Sequence, residues 1–221
     1  MKLLINALTK LIFGFVLLGV LLFLPAGRLS YFGGWLFLGV LFVPILLMGL
    51  VLYCKAPALL EKRLNHKEKE KAQKGVIALS GLMFPAGFVV SALDFRFAWS
   101  EVPLWLMLLA AFLFLVGYGI FAEVLRENAY LSRTVEVQEG QQVISTGLYG
   151  VVRHPMYFAT LLMFLPIPLI LGSFWGMIPF AAYPVLIAVR ILDEERVLTE
   201  GLSGYAEYKE RIKYRLIPFV W

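Results

Sequence analysis

Cysteine occurs once in this chain, at Cys54, so no internal disulfide can form and a cysteine-based metal centre has no ligand set. Histidine occurs twice, at His66 and His154, far apart in sequence, which leaves a clustered zinc site little to build on. The expectation is a protein without a metal. Charge is also scarce: Asp, Glu, Lys and Arg make up 16% of the 221 residues, against 61% hydrophobic residues. Mean hydropathy is +0.82. A soluble domain of this size has no use for so much apolar surface, so lipid must be the solvent. The net charge of +5 could invite nucleic acid, but its distribution along the chain favours anionic lipid headgroups. No nucleic-acid partner is expected.

Apolar runs at about 3–24, 31–53, 75–93 and 102–124 are each near the ~20 residues that cross a bilayer as a helix. The first is long for a signal-peptide core, and Leu24-Pro-Ala-Gly-Arg28 is a poor cleavage site, so it reads as a retained span. A fifth run, about 156–189, would reach roughly 50 Å as one helix against a hydrocarbon core of about 30 Å. It carries Pro166, Pro168, Gly172, Ser173, Gly176, Pro179 and Pro184, and splits near Gly172-Ser173 into a helical hairpin. The fold expected is all-α and polytopic, with about six crossings. Both termini then share one side. Of the 20 Lys and Arg residues only Arg28 and Arg96 fall in the opposite loops, the bias that marks the cytoplasmic side. In a bacterium this would be the plasma (inner) membrane. The simplest organisation is one integral membrane domain, 1–221. Four N-terminal helices occupy 1–124, with a basic cytoplasmic loop at 54–74 that holds seven Lys or Arg, and the chemistry-bearing region is 125–221.

Two polar clusters interrupt the apolar pattern. The first is Ser145-Thr-Gly-Leu-Tyr-Gly-Val-Val-Arg-His-Pro-Met-Tyr157; the second is Arg190-Ile-Leu-Asp-Glu-Glu195. Charged groups beside lipid are costly and by default mark function. Gly147 and Gly150 permit tight turns and close backbone approach. Pro155 suits the first turn of a helix whose free amides favour a carboxylate or phosphate, with Arg153 and His154 adding to the preference. The plainer reading is a turn with an interfacial Arg and a capping His. Arg190 and Glu194 share a helix face four residues apart; the plainer reading is a snorkelling arginine paired with a glutamate. A hairpin returns the chain to the same membrane face, so the clusters can meet around one pocket suited to a zwitterionic small molecule and a lipid-like partner. In Gly204 to Pro218, repeated Tyr, Lys and Arg predict an interfacial helix, with capping of the pocket as the sharper alternative.

Taken together, Gly147-Leu-Tyr-Gly-Val-Val-Arg-His-Pro-Met-Tyr157, Arg190 with Glu194-Glu195, Gly204-Tyr-x-x-Tyr208 and Arg215-x-x-Pro218 resemble the isoprenylcysteine carboxyl methyltransferases and their phospholipid methyltransferase relatives. The motifs occupy roughly the last 80 residues. Leu93-Asp-Phe-Arg-Phe-Ala-Trp-Ser100 and Arg126-Glu-Asn128 are similar to features of a bacterial branch. The chain departs from many relatives in having Leu148 where they have Pro; Gly147 and Gly150 remain to make the turn. The resemblance implies S-adenosylmethionine as methyl donor, bound without a Rossmann domain. It implies that Gln141, Gln142, Val143, Ile144, Gly147, Tyr149, His154, Pro155, Met156 and Tyr157 form the cofactor site, that Glu194 meets the cofactor's amino group and that Arg190 meets the acceptor.

The chemistry is compatible. Methyl transfer from a sulfonium is an in-line displacement in which alignment supplies much of the rate. A carboxylate acceptor is already nucleophilic and needs a positioning cation, for which Arg190 and Arg153 are candidates. An amine or thiol acceptor would need a base, for which Glu195 is the candidate. A lipidic, isoprenoid-like acceptor would enter from the bilayer. One alternative is an NADPH-dependent sterol-type membrane reductase, whose Arg-His-Pro and Tyr-x-x-Tyr layout is similar. Another is a non-enzymatic transporter or scaffold, which would place polar groups near mid-bilayer, where most of these spans have none.

Overall fold

The computed structural model describes residues 2–64, 71–131 and 137–221. Among these, every regular element is helical. Helices α1 (Lys2–Ala26), α2 (Phe32–Lys55), α4 (Lys71–Phe97) and α5 (Leu104–Glu127) realise the four apolar runs. All four are long and apolar enough to cross a membrane, α4 over Leu79–Phe97. Their outward faces carry large apolar side chains, among them Phe13, Leu24, Trp105 and Phe112. A water-solvated surface would not tolerate these; a bilayer requires them. The chain is a polytopic helical membrane protein. Short helix α3 (Pro57–Leu64) follows α2, and Lys10 Nζ donates to the Leu64 carbonyl at 2.5 Å. Part of the basic 54–74 segment thus packs back on α1; residues 65–70, with His66, lie outside the described residues.

The fifth apolar run does reverse at Gly172-Ser173, but neither arm is one continuous helix. The first arm is α6 (Pro155–Phe164) and then a single turn, α7 (Ile167–Ile170). The second is another single turn, α8 (Met177–Phe180), and then α9 (Tyr183–Gly201). Proline explains the breaks. Pro155, Pro168 and Pro184 each sit in the first turn of the helix they begin, and Pro166 precedes α7. The second arm outruns the apolar sequence: after Val189, α9 continues from Arg190 to Gly201 in charged residues. Helix α10 (Tyr205–Arg211) and an irregular tail complete the chain.

The hairpin is packed into the bundle. Gly117 of α5 faces α6 so closely that a Cβ there would sit 2.8 Å from the Ala159 carbonyl. Without a hydrophobic drive inside lipid, helices associate through such small-residue contacts. Leu22, Phe37, Phe88, Phe114, Ile167, Ile170 and Phe180 form the buried centre that joins hairpin to helices. The hairpin turn lies at the end where α1 meets α2 and α4 meets α5. There Asp94, fully buried, accepts from Ser100 N at 2.7 Å, Ser100 Oγ at 2.6 Å and Ser173 Oγ at 2.5 Å. Ser100 Oγ in turn accepts from Phe174 N, Ser173 Oγ from Gly176 N, and Tyr31 donates to the Leu171 carbonyl at 2.7 Å. The turn is knotted to the far end of the bundle, which sends α9 back to the opposite end, where α5 finishes and α6 begins.

Candidate active site

At that opposite end the two polar clusters meet. Gly147 opens a short 3-10 turn, Gly147–Gly150, with φ +52. The positive φ favours glycine, and a Cβ at Gly147 would also displace the end of the Glu127 side chain, 1.4 Å away at Oε1, whose Oε2 accepts from Leu148 N. The turn swings Tyr149 inward. Its hydroxyl accepts from Asn128 Nδ2 at 2.9 Å and its carbonyl accepts from the Tyr208 hydroxyl at 2.8 Å.

Glu195 is the hub behind this turn. Oε1 accepts from Arg153 Nε at 2.7 Å and meets His154 Nε2 at 3.2 Å; Oε2 accepts from Arg215 Nε at 3.0 Å. Burial pushes the Glu195 carboxyl up, but hydrogen bonds from His154, Arg153 and Arg215 outweigh it and hold the group well below the usual carboxylate range. Arg153 also donates through Nη1 to the carbonyls of Ile212 and Lys213, at 2.6 and 3.0 Å. The backbone N–H groups of Arg153 and His154 donate to the carbonyls of Tyr214 and Arg215. The tail from Ile212 onward therefore clasps the loop that leads into α6.

In front of the hub is a cavity of about 830 Å³, counting its open mouth. Gln141, Gln142, Val143, Ile144, Tyr149, Arg153, His154, Met156, Tyr157, Arg190 and Glu194 all line it. Gly147, Pro155 and Glu195 stand behind the wall; they shape the turn, the helix start and the hub. On one side Arg190 Nε donates to the Tyr157 hydroxyl at 2.9 Å, and that hydroxyl donates in turn to Glu194 Oε2. Arg190 and Glu194 thus share a tyrosine as well as a helix face.

The remaining lining includes Asn128, Tyr130, Leu131, Leu198, Leu202, Tyr205 and Tyr208, which the sequence motifs did not assign to the pocket. The signal for the last two was Gly204-Tyr-x-x-Tyr208. Its tyrosines are buried against Leu198, Leu202, Val143 and Ile212, so α10 caps the pocket with them and does not spread them at the interface. Burial raises the Tyr208 hydroxyl to about 12, which keeps it a neutral donor.

Residues 105–203 match the phospholipid methyltransferase family. That stretch is similar to the membrane methyltransferases of this family. It contains the last helix of the first four, the turn, the hairpin, Arg190 and the Glu194-Glu195 pair. The chain is also 31% identical to Delta(14)-sterol reductase TM7SF2 of Mus musculus over 93 residues, 40% of this chain and 22% of the reductase. Over 163 residues it is 26% identical to "Uncharacterized protein YpbQ" of Bacillus subtilis (strain 168), 70% of this chain and 96% of that one.

Proposed function

We propose that the protein is an S-adenosylmethionine-dependent methyltransferase. Its acceptor is lipidic or small and amphipathic, with a carboxylate of the isoprenylcysteine kind preferred, and the site faces the cytoplasm. The observation that carries this reading is the convergence of Arg190, Tyr157, Glu194, His154 and segment 141–144 on one cavity, within a stretch that matches a methyltransferase family. The residues fit the cofactor. The cavity wall combines a carboxylate at Glu194, a guanidinium at Arg190 and, among the described residues, a buried Tyr205 hydroxyl with no partner. Bound there, S-adenosylmethionine would supply an activated methyl group. Glu194 would hold the amino group of the donor, and segment 141–144 with Tyr149, Met156 and Tyr157 would enclose the rest.

In this reading Arg190 orients the acceptor carboxylate by charge-assisted hydrogen bonding, and Tyr157 fixes Arg190. Glu195 takes a different role from the base the sequence offered. It does not line the cavity, and both its oxygens already accept from cations. It positions Arg153 and His154, and Arg153 is a strut between the hub and the tail. With Glu195 withdrawn from proton transfer, a carboxylate acceptor, which needs no base, is the better match. Residues 1–221 act as one membrane domain with both termini cytoplasmic, in the plasma (inner) membrane if the source is bacterial.

The test is binding of S-adenosylhomocysteine to the purified protein in detergent, followed by methyl transfer from labelled S-adenosylmethionine to lipid extracts and isoprenylcysteine analogues. Glu194→Ala should weaken binding and Arg190→Ala should cut transfer, each by roughly 10- to 100-fold, the usual effect of losing a charge-assisted hydrogen bond. Wild-type protein that is folded yet binds neither form of the cofactor would refute the reading. A second reading, an NADPH-dependent reductase, draws on the match to the sterol reductase. Thermal stabilisation by NADPH and not by S-adenosylhomocysteine would select it.

A further inference from the structure

Five tyrosines line the cavity, and four of their hydroxyls are engaged. Tyr130 donates to the Gly140 carbonyl, Tyr149 accepts from Asn128, Tyr157 bridges Arg190 and Glu194, and Tyr208 donates to the Tyr149 carbonyl. Tyr205 is the exception. Only 4% of the residue is exposed, and among the described residues its hydroxyl has no hydrogen-bond partner. Burying a phenol unpaired is unfavourable, and each such group in a folded protein calls for an explanation. A phenylalanine at this position would fill the same space without that penalty. Backbone and ring each have a contact: Tyr205 N donates to the Leu202 carbonyl, and the ring centroid lies 5.7 Å from that of Tyr208. Burial raises this phenol far above its ordinary value, so it stays protonated and able to donate.

We propose that the Tyr205 hydroxyl is a ligand contact, and that it hydrogen-bonds the nucleoside half of the cofactor. This rests on the methyltransferase reading above. The cavity has two chemically distinct walls. Around Tyr205 the packing neighbours are Leu198, Leu202, Val143 and Tyr208, apolar and aromatic, with Glu195, Glu194 and Arg153 near enough to act on its phenol. The other wall carries Arg190, Tyr157 and Glu194. S-adenosylmethionine is divided in the same way, with a flat heterocycle at one end and a zwitterionic chain at the other. The heterocycle gains most from stacking on the apolar wall, whereas the zwitterion needs the charged one. A nucleoside on this wall presents ring nitrogens and hydroxyls to the Tyr205 hydroxyl, the one buried side-chain polar atom without a partner among the described residues. Tyr205 then selects for a nucleoside over a purely hydrocarbon occupant, which would leave the phenol unpaired.

The experiment compares wild type with Tyr205→Phe in two measurements. The first is thermal unfolding of the protein without ligand. The second is calorimetric affinity for S-adenosylhomocysteine and for 5′-methylthioadenosine, which lacks the amino-acid chain. The expected result has opposite signs: Tyr205→Phe unfolds at the same or a higher temperature, yet binds both compounds roughly three- to tenfold more weakly, the effect of one neutral hydrogen bond. Unchanged affinity for both compounds would overturn the proposal, as would a loss confined to S-adenosylhomocysteine, which would place the hydroxyl at the amino-acid half. A Tyr205→Phe protein that unfolds at a lower temperature would show that the hydroxyl is engaged within the protein, and would also overturn it. If wild type binds neither compound, the methyltransferase reading falls and takes this inference with it.

Discussion

Glu195 shows how a residue can be visible in the sequence while its partners are not. As the second carboxylate of a pair at a helix end it offered itself as a base. Its neighbours come from positions 153, 154 and 215, and no spacing rule could gather two arginines and a histidine from 20 to 42 residues away onto one carboxylate. Removing it would strand Arg153, which is buried. Breaking a buried pair in this way destabilises by about 3–5 kcal/mol, so Glu195→Gln should lower the unfolding temperature in detergent and also weaken cofactor binding. The pH dependence has a definite sign. The carboxyl is held below its ordinary value of 4.5, so its stabilisation is fully present above pH 4.5 and is lost as acid protonates it below that. Wild-type stability should therefore carry a Glu195 contribution that is flat from pH 5 to 7, with the gap between wild type and Glu195→Gln narrowing in stronger acid. A gap that widened in acid would contradict this assignment.

Among the elements, the hairpin was legible and its interruptions were half legible. Two prolines at 166 and 168 and two more at 179 and 184 announce that neither arm can be one helix, because each ring removes a donor and crowds the turn before it. What the sequence hid was how the turn is held. Asp94 and Ser100 lay in a segment that stood out only by resemblance, and Ser173 is 79 positions from Asp94. Asp94→Ala leaves three donors without their acceptor in a dry site, which should destabilise by about 3 kcal/mol, whereas Ser173→Ala removes one bond and should cost about 1 kcal/mol. Thermal midpoints of the two variants in detergent, ranked against wild type, check that order. A midpoint for Asp94→Ala equal to wild type would mean that the knot contributes nothing to the bundle.

At the scale of the whole molecule, composition and apolar run lengths established lipid as the solvent, and α1, α2, α4 and α5 follow the runs to within a few residues. Alternating crossings put the end of α2 at the same end of the bundle as the cavity. Cys54, exposed near the end of α2, is therefore a native reporter for the side that the site faces. In the proposed orientation, with that side in the cytoplasm, a membrane-impermeant maleimide should label Cys54 in inverted vesicles and leave it unlabelled in intact cells. Labelling of intact cells would reverse the orientation and put the cavity's mouth on the wrong side for the cytoplasmic donor proposed above. The tail adds a dimension of time. Arg153 and His154 await carbonyls at 212–215, and Glu195 awaits Arg215, so the pocket's back wall is finished by residues that emerge from the ribosome after every apolar segment. A chain made only as far as α9 holds the hairpin and both polar clusters, but leaves Arg153 and His154 without the tail's carbonyls and Glu195 without Arg215.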